Sequence, residues 1–222
     1  MRGNAMRAIE AVIFDMDGTL VDSEGVSRRA WSLAANELGV DLPDAFIDTL
    51  MGRNSRACNS LVVEHLGGNE ALAQRVVDMH LELFLKLAET DLKLKPGAHE
   101  ALEALRSAGL PLAVATSTAR VRALPRLERF SLTPYFTSIT CGNEVANGKP
   151  APDIFIESAR RLGVDPAACA VIEDSHNGVR SGHAAGAQVF MVPDLMAPTP
   201  EVESLCAAVL PSLHELPEAI LG

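Results

Sequence analysis

From about Leu94 onward, short apolar runs alternate with longer amphipathic stretches, and this alternation constrains the fold more than any other feature of the chain. Repeated βα units of this kind build a parallel sheet covered by helices. The apolar runs at 11–14, 112–115, 138–141, 170–172, 189–192 and 207–210 are bounded by Gly, Pro, Asn or Asp and are predicted to be strands. Helical patterns fall between them at 98–108, 120–129, 151–162 and 179–185, with Gly109, Gly163 and Gly186 where C-caps belong. The stretch 24–90 breaks the alternation. It reads as four amphipathic helices, at 26–38, 44–50, 56–66 and 69–88, with no convincing strand among them. The expectation is therefore an α/β fold. A Rossmann-like parallel sheet flanked by helices forms the core from 1–23 and 92–222, and a helical-bundle cap is inserted at 24–91, with hinges near 22–25 and 91–95. Hydrophobic residues make up 48% of the 222 and aromatic residues only 4%, so Ala, Leu and Val must fill the core, as in helix-covered sheets.

Charge narrows the partners. Nineteen Lys and Arg against twenty-nine Asp and Glu leave a formal net charge of -10, which opposes attraction to nucleic acid or an anionic membrane. An anionic substrate would then need positive charge collected locally, from a metal, a lysine or backbone N–H groups. The four cysteines, Cys58, Cys141, Cys169 and Cys206, form no CxxC pair and are expected to be reduced, mostly buried thiols. The segment MRGNAMRAIE has no apolar h-region and no run reaches membrane-span length, so a soluble, cytoplasmic protein is expected. No oligomeric state is specified, and a monomer is compatible with the sequence.

Four polar signals stand at predicted strand ends. The strand 11–14 runs into Asp15-Met16-Asp17-Gly18-Thr19; strand alternation puts Asp15 and Asp17 on one side, and Gly18 lets the chain turn away. A lone DxD would ordinarily be a solvated loop pair, but here it is joined by three further signals. Thr116-Ser117-Thr118 follows the strand 112–115 and offers hydroxyls and loop N–H groups to a phosphate oxygen, or else caps the helix near Arg120. Gly148-Lys149-Pro150 holds a lysine on stiff backbone, where most lysines ride on mobile helix faces. Glu173-Asp174 follows the strand 170–172 and precedes Ser175-His176-Asn177-Gly178; these acids either cap a helix or supply hard oxygen ligands to Mg²⁺.

In order and context, DMDGT, the Thr at the end of the next long strand, GKPAPDIF and IEDSHNGV resemble the four motifs of the haloacid dehalogenase superfamily. The inserted helices resemble the cap of its β-phosphoglucomutase-like subgroup. The resemblance implies a phosphatase acting on a small phosphorylated metabolite such as a sugar phosphate. Asp15 would be the nucleophile that becomes a phosphoaspartate and Asp17 the general acid and base. Thr116 and Lys149, with Ser117 beside them, would hold the phosphoryl group. Mg²⁺ would be bound by the Asp15 carboxylate, the Asp17 main-chain carbonyl and Asp174, with Glu173 a ligand or a supporting residue. In the short turn Met51-Gly52-Arg53-Asn54-Ser55-Arg56, Arg53 and Arg56 would select the substrate through forked hydrogen bonds, or else stay solvated.

Two relatives differ at telling positions. The mutases of this subgroup carry a bulky aliphatic residue after DxDG and a histidine in the first cap helix, where this chain has Thr19 and Ser27. Dehalogenases lack an acid at the position of Asp17. A signalling receiver domain also gathers acids, a hydroxyl and a lysine at strand ends, but is about half this length and has no inserted helices. Among the histidines, His65, His80, His99, His183 and His214 are expected at the surface, and His176 is expected to pack at a helix start.

Overall fold

The computed structural model describes residues 8–51, 55–194 and 196–222 of the chain, without the side chain of Ser55. The chain divides into two compact units, residues 1–21 with 94–222 and residues 22–93. The crossings lie two residues outside the expected ones, because the two-residue strands β2 (Val21–Asp22) and β3 (Lys93–Leu94) pair with each other there. So short a pair leaves no periodic trace in sequence.

In the larger unit, six strands among the described residues form one sheet: β1 (Ala11–Phe14), β4 (Leu112–Thr116), β5 (Ser138–Cys141), β6 (Cys169–Glu173), β7 (Gln188–Met191) and β8 (Ala208–Val209). The order is β5-β4-β1-β6-β7-β8, and every pairing is parallel. Helices α5 (Ala98–Ser107), α6 (Arg120–Arg129), α7 (Asp153–Leu162), α8 (His176–Ala184), α9 (Pro200–Glu203) and α10 (Leu216–Leu221) accompany the strands. Period-two alternation decides what each face meets: Ala11, Ile13, Ala113, Ala115, Val171, Val189 and Met191 pack with Ile154, Phe155 and Ala159 of α7 and Val179 of α8. Both faces are covered, which is why the strands read as unbroken apolar runs.

β1 is the hub. Its register sets Phe14 beside Val114 of β4 on one side and Ile172 of β6 on the other. The chain adds strands on the β4 side, then crosses to the β6 side, so strand order reverses at β1. A crevice opens beyond the carboxyl ends of a parallel sheet at such a reversal, and ligands bind there.

The smaller unit holds α1 (Glu24–Leu38), α2 (Asp44–Leu50), α3 (Ser55–His65) and α4 (Glu70–Ala88). It has its own core, including Trp31, Ile47, Leu50, Val62, Ala73 and Val76. His80 departs from its expected surface position. Its ring stacks on Trp31 with centroids 3.9 Å apart and planes 9° apart, and its Nε2 lies 3.1 Å from Ser27 Oγ. Burial holds its pKa down at about 4. An imidazole that lays a face on an indole and spends one nitrogen on a hydroxyl is a half-buried packing residue, not a solvated one. Cys58, Cys141 and Cys169 are buried, Cys206 is partly exposed, and all are free thiols.

Candidate active site

Asp15 leaves β1 still in sheet geometry: its N–H donates to Ile172 O at 2.9 Å. Its carboxylate therefore stands between β4 and β6 at the reversal point, 6% exposed. The next residues close a tight turn in which Gly18 N donates to Val21 O at 2.8 Å and Val21 N to Met16 O at 2.9 Å. Gly18 has φ +91°, and a Cβ there would run into the Asp174 carboxylate. Glycine is thus needed for the turn and for the close approach of another strand's acid.

Lys149 comes from the segment between β5 and α7. Its Nζ lies 2.5 Å from Asp15 Oδ1, 2.5 Å from Glu173 Oε1 and 3.1 Å from Ala115 O. The three ionic side chains are 7%, 8% and 1% exposed for Lys149, Asp15 and Glu173. All three ammonium donors have partners, so the head of this lysine is fixed.

At the end of β6 the two acids do not cap the following helix. Ser175 is the N-cap of α8, its Oγ accepting from Gly178 N at 3.0 Å. That frees Asp174, whose Oδ1 accepts from Thr19 Oγ1 at 2.9 Å. Glu173 spends Oε2 on three donors, Asp174 N at 3.1 Å, Ser175 N at 3.1 Å and Ser175 Oγ at 3.0 Å, and Oε1 on Lys149. A Cβ on Gly178 would overlap the Glu173 carboxylate, so α8 can start here only on glycine.

At the end of β4 the hydroxyls do not cap α6; Ala119 is its N-cap, and Arg120 N is taken by Asn143 Oδ1 at 2.9 Å. Thr116 is buried, with Oγ1 accepting from Thr118 N at 3.1 Å and pointing at Asp17 Oδ2 at 3.4 Å. Thr118 Oγ1 donates to Asp17 Oδ2 at 2.6 Å, and Ser117 is exposed. Arg126 Nη1 lies 2.8 Å from Asp17 Oδ1. The sequence named Thr118 only within the hydroxyl triplet, as a phosphate donor or cap and not as a partner of Asp17, and it did not single out Arg126, which sits 109 residues from Asp17 on an amphipathic helix.

Among the described residues, Asp15, Asp17, Glu173 and Asp174 face Lys149 and Arg126 as their cations, a formal excess of two negative charges. The imbalance is visible in the acids. Burial first, then Glu173 and Asp17, push Asp15 up to about 8 against the pull of Lys149. Burial, then Glu173 and Asp15, push Asp174 well above the ordinary range. Burial works against the Lys149 ammonium, yet Asp15 and Glu173 hold its pKa above that of a free lysine. No three His, Cys, Asp or Glu side chains among the described residues form a ready-made metal cage. Two carboxylates short of positive charge are instead the sparse hard-oxygen donor set that Mg²⁺ accepts, since it keeps several waters and substrate oxygens. The residues fit that ion.

The expected substrate-selecting arginines belong to the smaller unit. Arg53 lies outside the described residues, and Arg56 is exposed in the first turn of α3. Among the described residues no helix is long and apolar enough to cross a membrane.

Comparison with known proteins agrees with this geometry. The haloacid dehalogenase-like hydrolase family matches residues 9–186. A phosphorylated carbohydrates phosphatase of Thermotoga maritima is 38% identical over 178 residues, 80% of this chain and 82% of that one. Hexitol phosphatase B of Escherichia coli is 32% identical over 212 residues and 95% of either chain. The crystal structure of CbbY from Rhodobacter sphaeroides with xylulose 1,5-bisphosphate superposes with a TM-score of 0.72 at 28% identity, over 94% of this chain and 96% of that one. With its motif residues gathered at the end of the central strand and the match running through most of its length, the chain belongs to the haloacid dehalogenase-like hydrolases.

Proposed function

We propose that this protein is a Mg²⁺-dependent phosphomonoester hydrolase that acts on a small sugar phosphate or similar metabolite through a phosphoaspartate on Asp15. The observation that carries the proposal is the Asp15 carboxylate at the end of the central strand, held 2.5 Å from Lys149 Nζ, with a second acid two residues on. Relatives named for phosphatase activity on phosphorylated carbohydrates and hexitols, and one crystallised with a sugar bisphosphate, support the substrate class.

A carboxylate oxygen of Asp15 attacks phosphorus as the bond to the leaving oxygen breaks, and Asp17 gives that oxygen its proton. Asp17, now a carboxylate, takes a proton from water as the water oxygen attacks the same phosphorus; the bond to Asp15 breaks, releasing phosphate and restoring both acids. Two unit charges about 4 Å apart repel by roughly 4 kcal/mol at an effective dielectric near 20, a factor of about a thousand in binding. Lys149 offsets part of this for a phosphate beside Asp15, and Glu173, with its oxygens occupied, keeps Lys149 in place. Mg²⁺, held by the carboxylates of Asp15 and Asp174 and the Asp17 main-chain carbonyl, supplies the remaining positive charge when bound. Thr116, with Ser117 beside it, would meet the phosphoryl oxygens once substrate displaces the long contact to Asp17.

Phosphate release across a panel of phosphorylated metabolites with Mg²⁺ tests the proposal, using wild type, Asp15→Asn and Asp17→Asn checked for folding by circular dichroism. Turnover should require the metal and both acids; substantial turnover by Asp15→Asn sinks the covalent mechanism.

One observation favours a phosphomutase reading. The place where mutases carry their cap histidine is Ser27 here, and an imidazole, that of His80, stands 3.1 Å from its hydroxyl. That ring is stacked on Trp31 and uncharged near neutral pH. Water should therefore win as phosphoryl acceptor. Phosphorus NMR with β-glucose 1-phosphate and a bisphosphate primer decides it: glucose 6-phosphate forming faster than inorganic phosphate would favour the mutase.

A further inference from the structure

We propose that Arg126 is the residue that orients Asp17 for proton transfer, an inference that rests on the phosphatase reading above. Arg122 and Arg129 of the same helix are exposed, as helical arginines ordinarily are. Arg126 is different: its side chain is 10% exposed, turned inward beside the fully buried Ala123 and Leu127. Burying a guanidinium costs free energy that an apolar residue in the same place would not, so its retention calls for a reason other than stability. Its position supplies one. Nη1 takes Asp17 Oδ1 at 2.8 Å while Thr118 takes Oδ2 at 2.6 Å.

Holding both oxygens fixes the plane of the carboxylate, which one contact would leave free to rotate. Oδ2 also takes the longer contact from Thr116 at 3.4 Å, whereas Oδ1, with Arg126 as its one donor among the described residues, keeps a lone pair for the travelling proton. The anchors come from two consecutive pieces, the loop after β4 and the second turn of α6, so the β4–α6 unit is built to present this grip. Lys149 cannot serve instead, since its donors are already occupied by Asp15, Glu173 and Ala115 O. Arg126 meets no reacting atom; it is a positioning residue. Its loss should fall on the step in which Asp17 protonates the leaving oxygen, because proton transfer needs hydrogen-bond geometry within a few tenths of an ångström. An aryl leaving group departs without that proton.

The test measures kcat/KM, which reports the steps through departure of the leaving group, for the full chain with saturating Mg²⁺. The substrates are the best sugar phosphate and p-nitrophenyl phosphate, and the proteins are wild type, Asp17→Asn, Arg126→Gln, Arg126→Lys and the Asp17→Asn/Arg126→Gln double variant. Arg126→Gln should lose roughly ten- to a hundredfold on the sugar phosphate, and at least tenfold less on the aryl ester. Arg126→Lys should recover most of the loss. The double variant should be no worse than Asp17→Asn alone, as expected when one residue acts through the other. If Arg126→Gln does not fold, Thr118→Val removes the other anchor and should show the same selective loss. Equal losses on the two substrates, additive losses in the double variant, or faster turnover without the arginine would each overturn the assignment. A wild type that releases no phosphate, or an Asp17→Asn variant that is fully active, would instead overturn the phosphatase reading itself.

Discussion

Lys149 has two carboxylate partners, and the two partners do different work. Asp15 Oδ1 is one, and Glu173, whose other oxygen is filled by two backbone N–H groups and a hydroxyl, is the other. Glu173→Gln should therefore lower kcat through a misplaced lysine while leaving Mg²⁺ affinity within about threefold. Asp174→Asn, which removes a charge from the proposed metal site, should weaken Mg²⁺ by at least about tenfold; isothermal titration beside steady-state kinetics separates the two. The raised acids give a test independent of turnover. Without metal, Asp15 is held near 8 when folded against 3.8 for an ordinary Asp carboxyl, so between those values the native state binds more protons than the unfolded one. Metal-free stability then falls as pH rises through that window, and Mg²⁺, which must displace the protons, stabilises more at pH 8 than at pH 5.5. Melting curves with Mg²⁺ and with chelator should show this; an increment in Tm that is flat or falls with pH would contradict the metal site. Asp15, Lys149 and Asp174 were legible in the sequence because strand ends and rigid turns mark them locally. Arg126 was not, and Thr118 was legible only as a hydroxyl for phosphate or a cap, because their contacts with Asp17 span 109 and 101 residues, which no local pattern encodes.

At the scale of elements, His80 shows how a helical pattern can mislead. It sits in α4, an amphipathic helix in which a histidine reads as a polar-face residue, yet tertiary contact with Trp31 and Ser27 draws it inward. Its folded pKa of about 4 lies below the ordinary imidazole value of 6.5, so the native state binds fewer protons between the two. This contribution to stability is complete above 6.5 and is lost as pH falls toward 4, on the order of 3 kcal/mol. Trp31 is the only tryptophan in the chain and stacks on the ring, so its fluorescence is a direct reporter. The folded protein should show a fluorescence transition centred near pH 4 that disappears in His80→Leu. A midpoint near 6.5 would mean an open ring. Most strands and helices were legible to within a few residues, because periodicity and glycine stops are local, but α9 and α10 were not expected, since four and six residues are too few to show a helical period. The paired strands β2 and β3 were missed because two residues carry no period.

Across the whole molecule, a chain of net charge -10 concentrates four acids against two cations at the very place proposed to receive a dianion. The same imbalance would repel phosphate and attract a divalent ion, so under the proposed function charge sets the order: metal first, substrate second. The long-range field is not cancelled by one Mg²⁺, because a divalent ion offsets only a small part of a formal net charge of -10. A dianionic substrate must approach against it until it comes within a Debye length, about 8 Å at 0.15 M salt. Raising KCl from 10 to 150 mM at fixed free Mg²⁺ should therefore increase kcat/KM for a sugar phosphate by about two- to fivefold, and leave kcat, which is measured with the substrate already seated, nearly unchanged. Most enzymes with anionic substrates show the opposite sign, because positive charge near the site steers the substrate in. A fall in kcat/KM across that range would mean that the metal and Lys149 govern approach as well as binding, and that the acidic surface has no part in it.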